Sequence, residues 1–212
     1  MFKGARFIRE DFLDRQVGEK NEEKLFGAVD TSDPRYILAE KEYRRDSNDK
    51  REPPFIDHEK SMRLVKEFQK EKAFNPPTQF LKELRIEVAD RLGLDTAEEM
   101  ERLGIFTAIG RPRKTSLDFY HGVDAFITYK KPGLPEICVT LDASWSEEKN
   151  VSEIKADIYV NGHDIPEPGD NEKFLAAVEK FANEIAKLIN KRIDELMINK
   201  ERSGTRERRV EP

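Results

Sequence analysis

Apolar residues recur at helical spacing in three long stretches of the chain. Residues 58–73 and 75–94 each bring apolar side chains to one face, and Gly93 is suited to end the second helix. From about residue 170 to 199 the spacing predicts a helix roughly 45 Å long at 1.5 Å per residue. A helix of that length is expected to extend beyond one domain and to pair with a second copy of the chain as a homo-oligomer.

Between the second and third of these helices the hydrophobic period changes to two, which is typical of strands. The predicted strands are residues 104–110, 117–129, 136–144 and 153–160. Helices followed by strands and then by a helix predict an α+β fold. We expect a four-stranded antiparallel or mixed sheet packed against helices.

The first 57 residues are more polar, and we expect them to form an N-terminal arm. Asp33 and Pro34 predict the start of a short helix at 32–45, and a charged linker follows at 44–54. Apolar residues near the N-terminus leave open that the arm docks on the main domain or on a partner. The remaining predicted units are an α+β domain at 58–200 and a disordered tail at 201–212.

Composition and charge limit the classes of protein. The chain has 212 residues, of which 37% are hydrophobic and 38% charged, with a net charge of -5. A protein that coats DNA would be basic, although a local basic groove remains compatible with this charge. The single Cys138 excludes an internal disulfide and is expected to be a buried strand residue. We expect a cytoplasmic protein without a membrane partner, since neither a signal peptide nor a span of about 20 apolar residues is visible.

Two acidic residues are predicted to face each other across a hairpin. With its turn at residues 130–135, Ala125 pairs with Leu141, and Asp124 falls opposite Asp142 on the other face. Opposed Cβ atoms lie about 4.5–5.5 Å apart, where like charges are unfavourable. A divalent cation would relieve the repulsion, and Mg²⁺ is commonly held by one or two carboxylates with waters and phosphate oxygens. The alternative is that this face is open and both aspartates are solvated.

A second hairpin, turning near Lys149, is predicted to bring a lysine to the same place. An antiparallel register then sets Ser144 opposite Lys155, beside the two carboxylates. Lys149 in the turn is the competing candidate. Either ammonium group is suited to orient an attacking water or to offset charge on a phosphate.

The predicted helix, the strand with Asp124 and the following strand with the segment DAS resemble the PD-(D/E)XK nuclease superfamily. That family has an acid on one strand, a second acid followed two positions later by lysine on the next, and often a helical glutamate. The resemblance implies a restriction-endonuclease-like core in which Asp124, Asp142 and Glu87 bind Mg²⁺. Val123 stands where the motif has proline and Ser144 where it has lysine.

Basic residues near the hairpin are expected to contact a phosphate backbone, although a solvated loop is the alternative. They are Arg111, Arg113, Lys114, Lys130 and Lys131, joined by His121. The sequence thus predicts a Mg²⁺-dependent nuclease that acts on nucleic acid. The alternative is a non-catalytic interaction or assembly protein with a degenerate nuclease-like fold, which Ser144 favours.

Overall fold

The computed structural model describes residues 17–45, 55–145, 154–166 and 170–207 of the chain. The elements in chain order are α1 (17–26), β1 (Val29–Asp30), α2 (Pro34–Arg45), α3 (His58–Phe68), α4 (Gln79–Arg91), α5 (Ala97–Met100), β2 (Leu103–Thr107), β3 (Gly110–Arg111), α6 (Ser116–His121), β4 (Ala125–Tyr129), β5 (Ile137–Ser144), β6 (Ile158–Asn161) and α7 (Asn171–Glu207). A 3₁₀ turn at Gly162–Asp164 follows β6. None of the described helices combines the length and the apolar character needed to span a bilayer.

Four strands form one mixed sheet in the order β2-β4-β5-β6, and β1 and β3 form a separate parallel pair. Strand β4 is antiparallel to both neighbours, and its register with β5 pairs Ala125 with Leu141. The predicted register of this hairpin is therefore confirmed. It follows from the alternation of apolar residues, because a slip by one position would turn the apolar side chains to the wrong face.

The last strand runs in the direction opposite to the one predicted. Strands β5 and β6 are parallel, and Ser144 lies opposite Asn161. The Asp157 carboxylate accepts hydrogen bonds from the backbone N and the hydroxyl of Thr140. Thr140 lies near the middle of β5. These bonds hold the start of β6 beside β5, so that β6 runs onward in the direction of β5. The predicted second antiparallel hairpin is wrong.

Helices cover both faces of the four-stranded sheet, and a hydrophobic cluster fills each layer. One face packs against α4 and α7, through residues such as Leu84 and Ile185, over Ile127 and Val139 of the sheet. On the other face Phe126 belongs to a cluster with residues of α2, α3 and α6. Asp124, two positions before Phe126, belongs to this second face, because strand side chains alternate.

Residues 17–45 are part of the domain rather than a separate arm. Leu25 and Phe26 of α1 are buried in the first cluster, and Tyr36 of α2 is buried in the second. The Thr78 hydroxyl, which caps α4, also donates to the backbone O of Leu25 at 2.7 Å. The boundary predicted at residue 57 therefore does not separate two structural units. Residues 1–16 and 46–54, which include most of the predicted linker, lie outside the described part.

Helix α6 replaces the first half of a predicted strand at 117–129. The Thr115 side chain accepts a hydrogen bond from the backbone N of Asp118, and Gly122 ends the helix with a φ of 61°. This local capping outweighs the alternation of apolar residues that favours a strand. Helix α7 begins as predicted but continues to Glu207, into the segment assigned to the tail.

Candidate functional site

Asp124 is held at the point where the chain leaves α6 and begins β4. Its backbone N donates to the Leu141 carbonyl at 2.9 Å, and its carbonyl accepts from the backbone N of Ala108 at 2.7 Å. The side-chain Oδ2 accepts from the backbone N of Ala143 in β5, also at 2.7 Å. Only 4% of Asp124 is exposed, and 5% of Asp142. The alternative in which both aspartates face open solvent therefore does not hold.

Three carboxylates act electrostatically on the buried Asp124: Glu22 of α1, Asp118 of α6 and Asp142 of β5. Together with Asp124 we call them the acidic cluster. Burial is the main reason why the pKa of Asp124 lies well above its ordinary value. The negative charges of Glu22 and Asp118 raise this pKa further, and Asp142 adds a smaller repulsion. Burial also raises the pKa of Asp118. A set of mutually repelling carboxylates is costly to fold, which makes this place the candidate functional site.

Lys114 is the lysine that the structure brings to the acidic cluster. Its Nζ donates to Asp118 Oδ1 at 2.8 Å. Burial alone would lower the pKa of Lys114, but attraction to Asp118, Glu22 and Asp124 keeps that pKa above its ordinary value. Lys114 therefore remains protonated beside the carboxylates. The signal in the sequence is its i,i+4 spacing from Asp118, which becomes meaningful only when residues 116–121 are helical.

The sequence predicts that Lys155 or Lys149 assists the aspartates, and the structure describes only Lys155. Lys155 Nζ donates to the carbonyl O of Tyr120 at 3.3 Å. Because β5 and β6 are parallel, Asn161 rather than Lys155 lies opposite Ser144. The prediction for Lys155 is therefore wrong in its register. Lys149 lies outside the described residues.

Glu87 is also separated from the acidic cluster. It lies on α4, which packs on the sheet face opposite to that of Asp124, and it forms an ion pair with Arg91. The acids that helices contribute near Asp124 are Asp118 of α6 and Glu22 of α1. Glu22 is the one that stands in for Glu87. It lies in the polar N-terminal part of the chain, and only the docking of α1 on the domain brings it to the site.

Two of the predicted phosphate-binding residues, Arg111 and His121, contact other parts of the chain. Arg111 donates to Glu23 of α1 at 2.8 Å, and this pair helps to hold α1 against the domain. The Nε2 atom of His121 lies 3.0 Å from the Ile56 carbonyl, and the His121 ring contacts His58 edge-on. Burial lowers the pKa of His121, so its neutral form is favoured.

Lys130 and Lys131 lie far from the aspartates. Both are exposed where the chain leaves β4, whereas Asp124 precedes the start of that strand. At about 3.3 Å per residue, Lys130 is on the order of 20 Å from Asp124 along the strand. These two lysines are therefore not part of one site with the acidic cluster. Lys114, by contrast, is bonded to Asp118 of that cluster, and Arg113 precedes it in the chain.

The acidic cluster has the oxygen donors that Mg²⁺ prefers, but not a complete protein-only cage. Among the described residues, no three His, Cys, Asp or Glu side chains are arranged to hold a metal ion. Mg²⁺ usually keeps several waters and needs only one or two protein carboxylates. Burial is the main cause of the raised pKa of Asp124, and the repulsion that adds to it is the kind that a bound cation relieves. The residues present fit a site with two carboxylate ligands.

Comparisons with known proteins do not identify the site. No family model matches the chain, and neither a curated protein nor a solved structure is significantly similar to it.

Proposed function

We propose that the protein hydrolyses phosphodiester bonds in nucleic acid, with Mg²⁺ bound by Asp124 and Asp142. The observation that carries this proposal is the acidic cluster, in which burial and three neighbouring carboxylates raise the pKa of Asp124, with a lysine beside them. A structural role alone gives no reason to bury several like charges together. A cation that draws in water and a substrate phosphate does give one.

Asp124 and Asp142 offer carboxylate oxygens from neighbouring strands, which are rigid supports for a ligand pair. The hydrogen bond from Ala143 N fixes one oxygen of Asp124 and leaves its other oxygen to the cation. Bound Mg²⁺ supplies Lewis-acid activation of a phosphoryl group and of a water molecule. Glu22 and Asp118 add negative charge that favours a cation at this place.

Lys114 takes the role that the family resemblance gives to a lysine at position 144. Its ammonium group has three donors, one of which is bonded to Asp118. The others are suited to orient a water or to offset charge that develops on the phosphate. In this arrangement the lysine comes from the segment before α6 instead of from β5, where Ser144 stands.

A restriction-endonuclease-like core is part of the proposal. It is supported by a mixed sheet with helices on both faces and by acids that lie at the start of β4 and within β5. Glu22 then stands where the family has its helical glutamate, in place of Glu87.

Calorimetry with Mg²⁺ or Mn²⁺ tests the site directly. The wild-type protein is expected to bind the cation, and Asp142→Asn is expected to abolish binding. Asp90→Asn is the matched control, because Asp90 is exposed on α4 on the far side of the sheet. Single- and double-stranded DNA and RNA are then incubated with each protein. Equal heats for the wild type and Asp142→Asn, or cleavage that survives Asp142→Asn, would overturn the proposal.

A second candidate function is a non-catalytic assembly protein with the same fold. Two observations favour it: Ser144 in place of the family's lysine, and the exposed apolar residues Met197 and Ile198 on α7. In that case α7 pairs with a second copy of the chain. Light scattering of the full chain distinguishes the two: a dimer that Met197→Lys dissociates, together with no cleavage of any nucleic acid, selects the assembly protein.

A further inference from the structure

A cavity of about 350 Å³ opens between α2 and α6, beside the acidic cluster. This volume falls at the lower end of the range of small-molecule sites, about 300–1,000 Å³. Its walls consist of Glu40, Arg44, Arg113, Lys114, Thr115, Ser116, Phe119 and Tyr120. Lys114 connects the cavity to the acidic cluster, since its Nζ is bonded to Asp118.

Positive charge dominates the walls of the cavity. The cationic side chains of the walls are Arg44, Arg113 and Lys114, and the one carboxylate among the lining residues is Glu40. Arg44 forms an ion pair with Glu40 at 3.2 Å. A guanidinium group has five N–H donors. Arg113 gives one of them to the carbonyl O of Thr31 at 3.2 Å. With Asp118 bonded to Lys114, the three cationic groups stand against two carboxylates, and the positive charge that remains suits an anion.

Buried polar atoms at this place lack hydrogen-bond partners among the described residues. They include the hydroxyl of Ser116, a residue that is only 2% exposed, and Nε of Arg44. Buried polar groups are nearly always hydrogen-bonded, so an unpartnered pair in one cavity wall calls for an explanation. Both residues line the cavity, and a small turn of their side chains would bring these buried donors to an oxygen-rich ligand there.

An aromatic ring stands at the edge of the same cavity. Phe119 is 60% exposed although it belongs to a short helix packed on the core, and it contacts Tyr120 edge-on. Exposed aromatic rings next to cationic grooves are typical of surfaces on which nucleobases stack.

We infer that this cavity binds the phosphate group of a nucleotide, with Arg44, Arg113, Lys114 and Ser116 as donors and Phe119 as a stacking surface for the base. The inference rests on the proposed function and extends it, because it names the substrate group that lies next to the cleavage site. The phosphate comes either from the end of a nucleic-acid strand or from a free nucleotide. Lys114 then bridges the bound phosphate and the carboxylates.

Binding to fluorescent single-stranded oligonucleotides tests the inference in EDTA, where no divalent cation contributes. We expect a 5′-phosphorylated oligonucleotide to bind more tightly than the same strand with a 5′-hydroxyl, if the source is a strand end. Competition by a nucleoside monophosphate, with equal affinity for the two strands, identifies a free nucleotide as the source. In either case Arg113→Gln is expected to weaken binding about tenfold or more, since it removes charged hydrogen bonds.

Ser116→Ala and Arg63→Gln complete the design. Ser116→Ala removes one donor without leaving a buried polar group unpaired, so the fold is expected to tolerate it while the affinity falls. Arg63→Gln changes the same charge on an exposed part of α3 and is expected to have no effect. No phosphate-dependent binding by any of these ligands, or equal affinity of Arg113→Gln and the wild type, would overturn the inference. Because these measurements exclude metal, their failure leaves the calorimetric test of Asp142 intact, and failure of that test leaves phosphate binding intact.

Discussion

Lys114 Nζ lies 2.8 Å from Asp118 Oδ1, and this ion pair joins two features of opposite charge. On one side is the acidic cluster around Asp124, and on the other is the cationic cavity between α2 and α6. Burial leaves the pKa of Asp118 raised in spite of its partner, while the surrounding carboxylates raise the pKa of Lys114. Under the proposed function, this protonated lysine would stand between the carboxylates that hold the cation and the phosphate to be cleaved.

The first prediction concerns Lys114. Lys114→Met is expected to reduce nucleic-acid cleavage by about 10²-fold or more, the range seen when one group that stabilises developing charge is removed. Binding of Mg²⁺ is expected to persist, because the carboxylates remain. Single-turnover cleavage and calorimetry measure the two effects separately. Lys130→Met, at the far end of β4, is the matched control, and equal rates for both variants would contradict a role of Lys114 in cleavage.

Asp124→Asn is expected to stabilise the protein while it removes metal binding. An acid whose pKa is raised by folding destabilises the folded state at every pH above its unfolded value of about 3.9. An amide has no such penalty, and its oxygen is able to accept the hydrogen bond from Ala143 N. We expect the free energy of unfolding to rise by about 0.5–2 kcal/mol at pH 7, the usual range for a single stabilising substitution. Urea unfolding measures it, and the gain should disappear as the pH falls towards about 4.

Phe26→Ala tests whether α1 belongs to the domain. Phe26 is fully buried, and its ring lies 6.0 Å from that of Phe80, measured between centroids. Removing such a side chain is expected to cost about 3–5 kcal/mol of unfolding free energy. Leu38→Ala, at an exposed position of α2, should cost little. If the two variants unfold at the same urea concentration, α1 is not part of the cooperative unit.

Asp157→Asn tests the contact that holds β6 beside β5. Burial would raise the pKa of Asp157, but hydrogen bonds from Arg192 and Thr140 outweigh it and hold the pKa below its ordinary value. The stabilisation is therefore present above the unfolded pKa of about 3.9 and is lost as the pH falls through the lower folded value. We expect a loss of about 1–2 kcal/mol at pH 7, allowing for partial exposure.

The same variant should differ less from the wild type as the pH is lowered from 7 to about 3, because Asp157 then becomes protonated in the wild type too. Urea unfolding over this pH range gives the comparison, with Asp90→Asn as the exposed control. A difference between Asp157→Asn and the wild type that stays constant with pH would show that the charge of Asp157 does not hold β6.

Cys138 is expected to be inert in the folded protein. Burial is the main cause that raises the pKa of its thiol to about 12. Since the thiolate is the reactive form, alkylation at pH 8 should be much slower for the native protein than for the urea-unfolded one. Mass spectrometry of iodoacetamide-treated samples measures both rates. Equal rates would mean that Cys138 is more open to solvent than its place in β5 indicates.

Local patterns determined much of the fold. The apolar alternation of β4 and β5 set their register, because only one register turns Ala125 and Leu141 to the same covered face. The helical spacing of apolar residues identified α3, α4 and α7, although α3 ends at Phe68 and α4 begins at Gln79. The same register predicts that Asp124 and Asp142 lie on neighbouring strands, since Asp124 precedes Ala125 and Asp142 follows Leu141.

The tertiary structure decided the remaining features. Whether β6 runs parallel depends on the hydrogen bonds between Asp157 and Thr140, which no periodicity encodes. Glu22 and Lys114 reach the acidic cluster only because α1 docks on the core and residues 116–121 form a helix. The sequence contains no pattern that identifies the partner of a charged residue. Charged residues pair according to the distances between their side chains, and the packing of segments that are far apart in the sequence sets these distances. Backbone conformation is largely a local property, whereas the meeting of four carboxylates and a lysine is not.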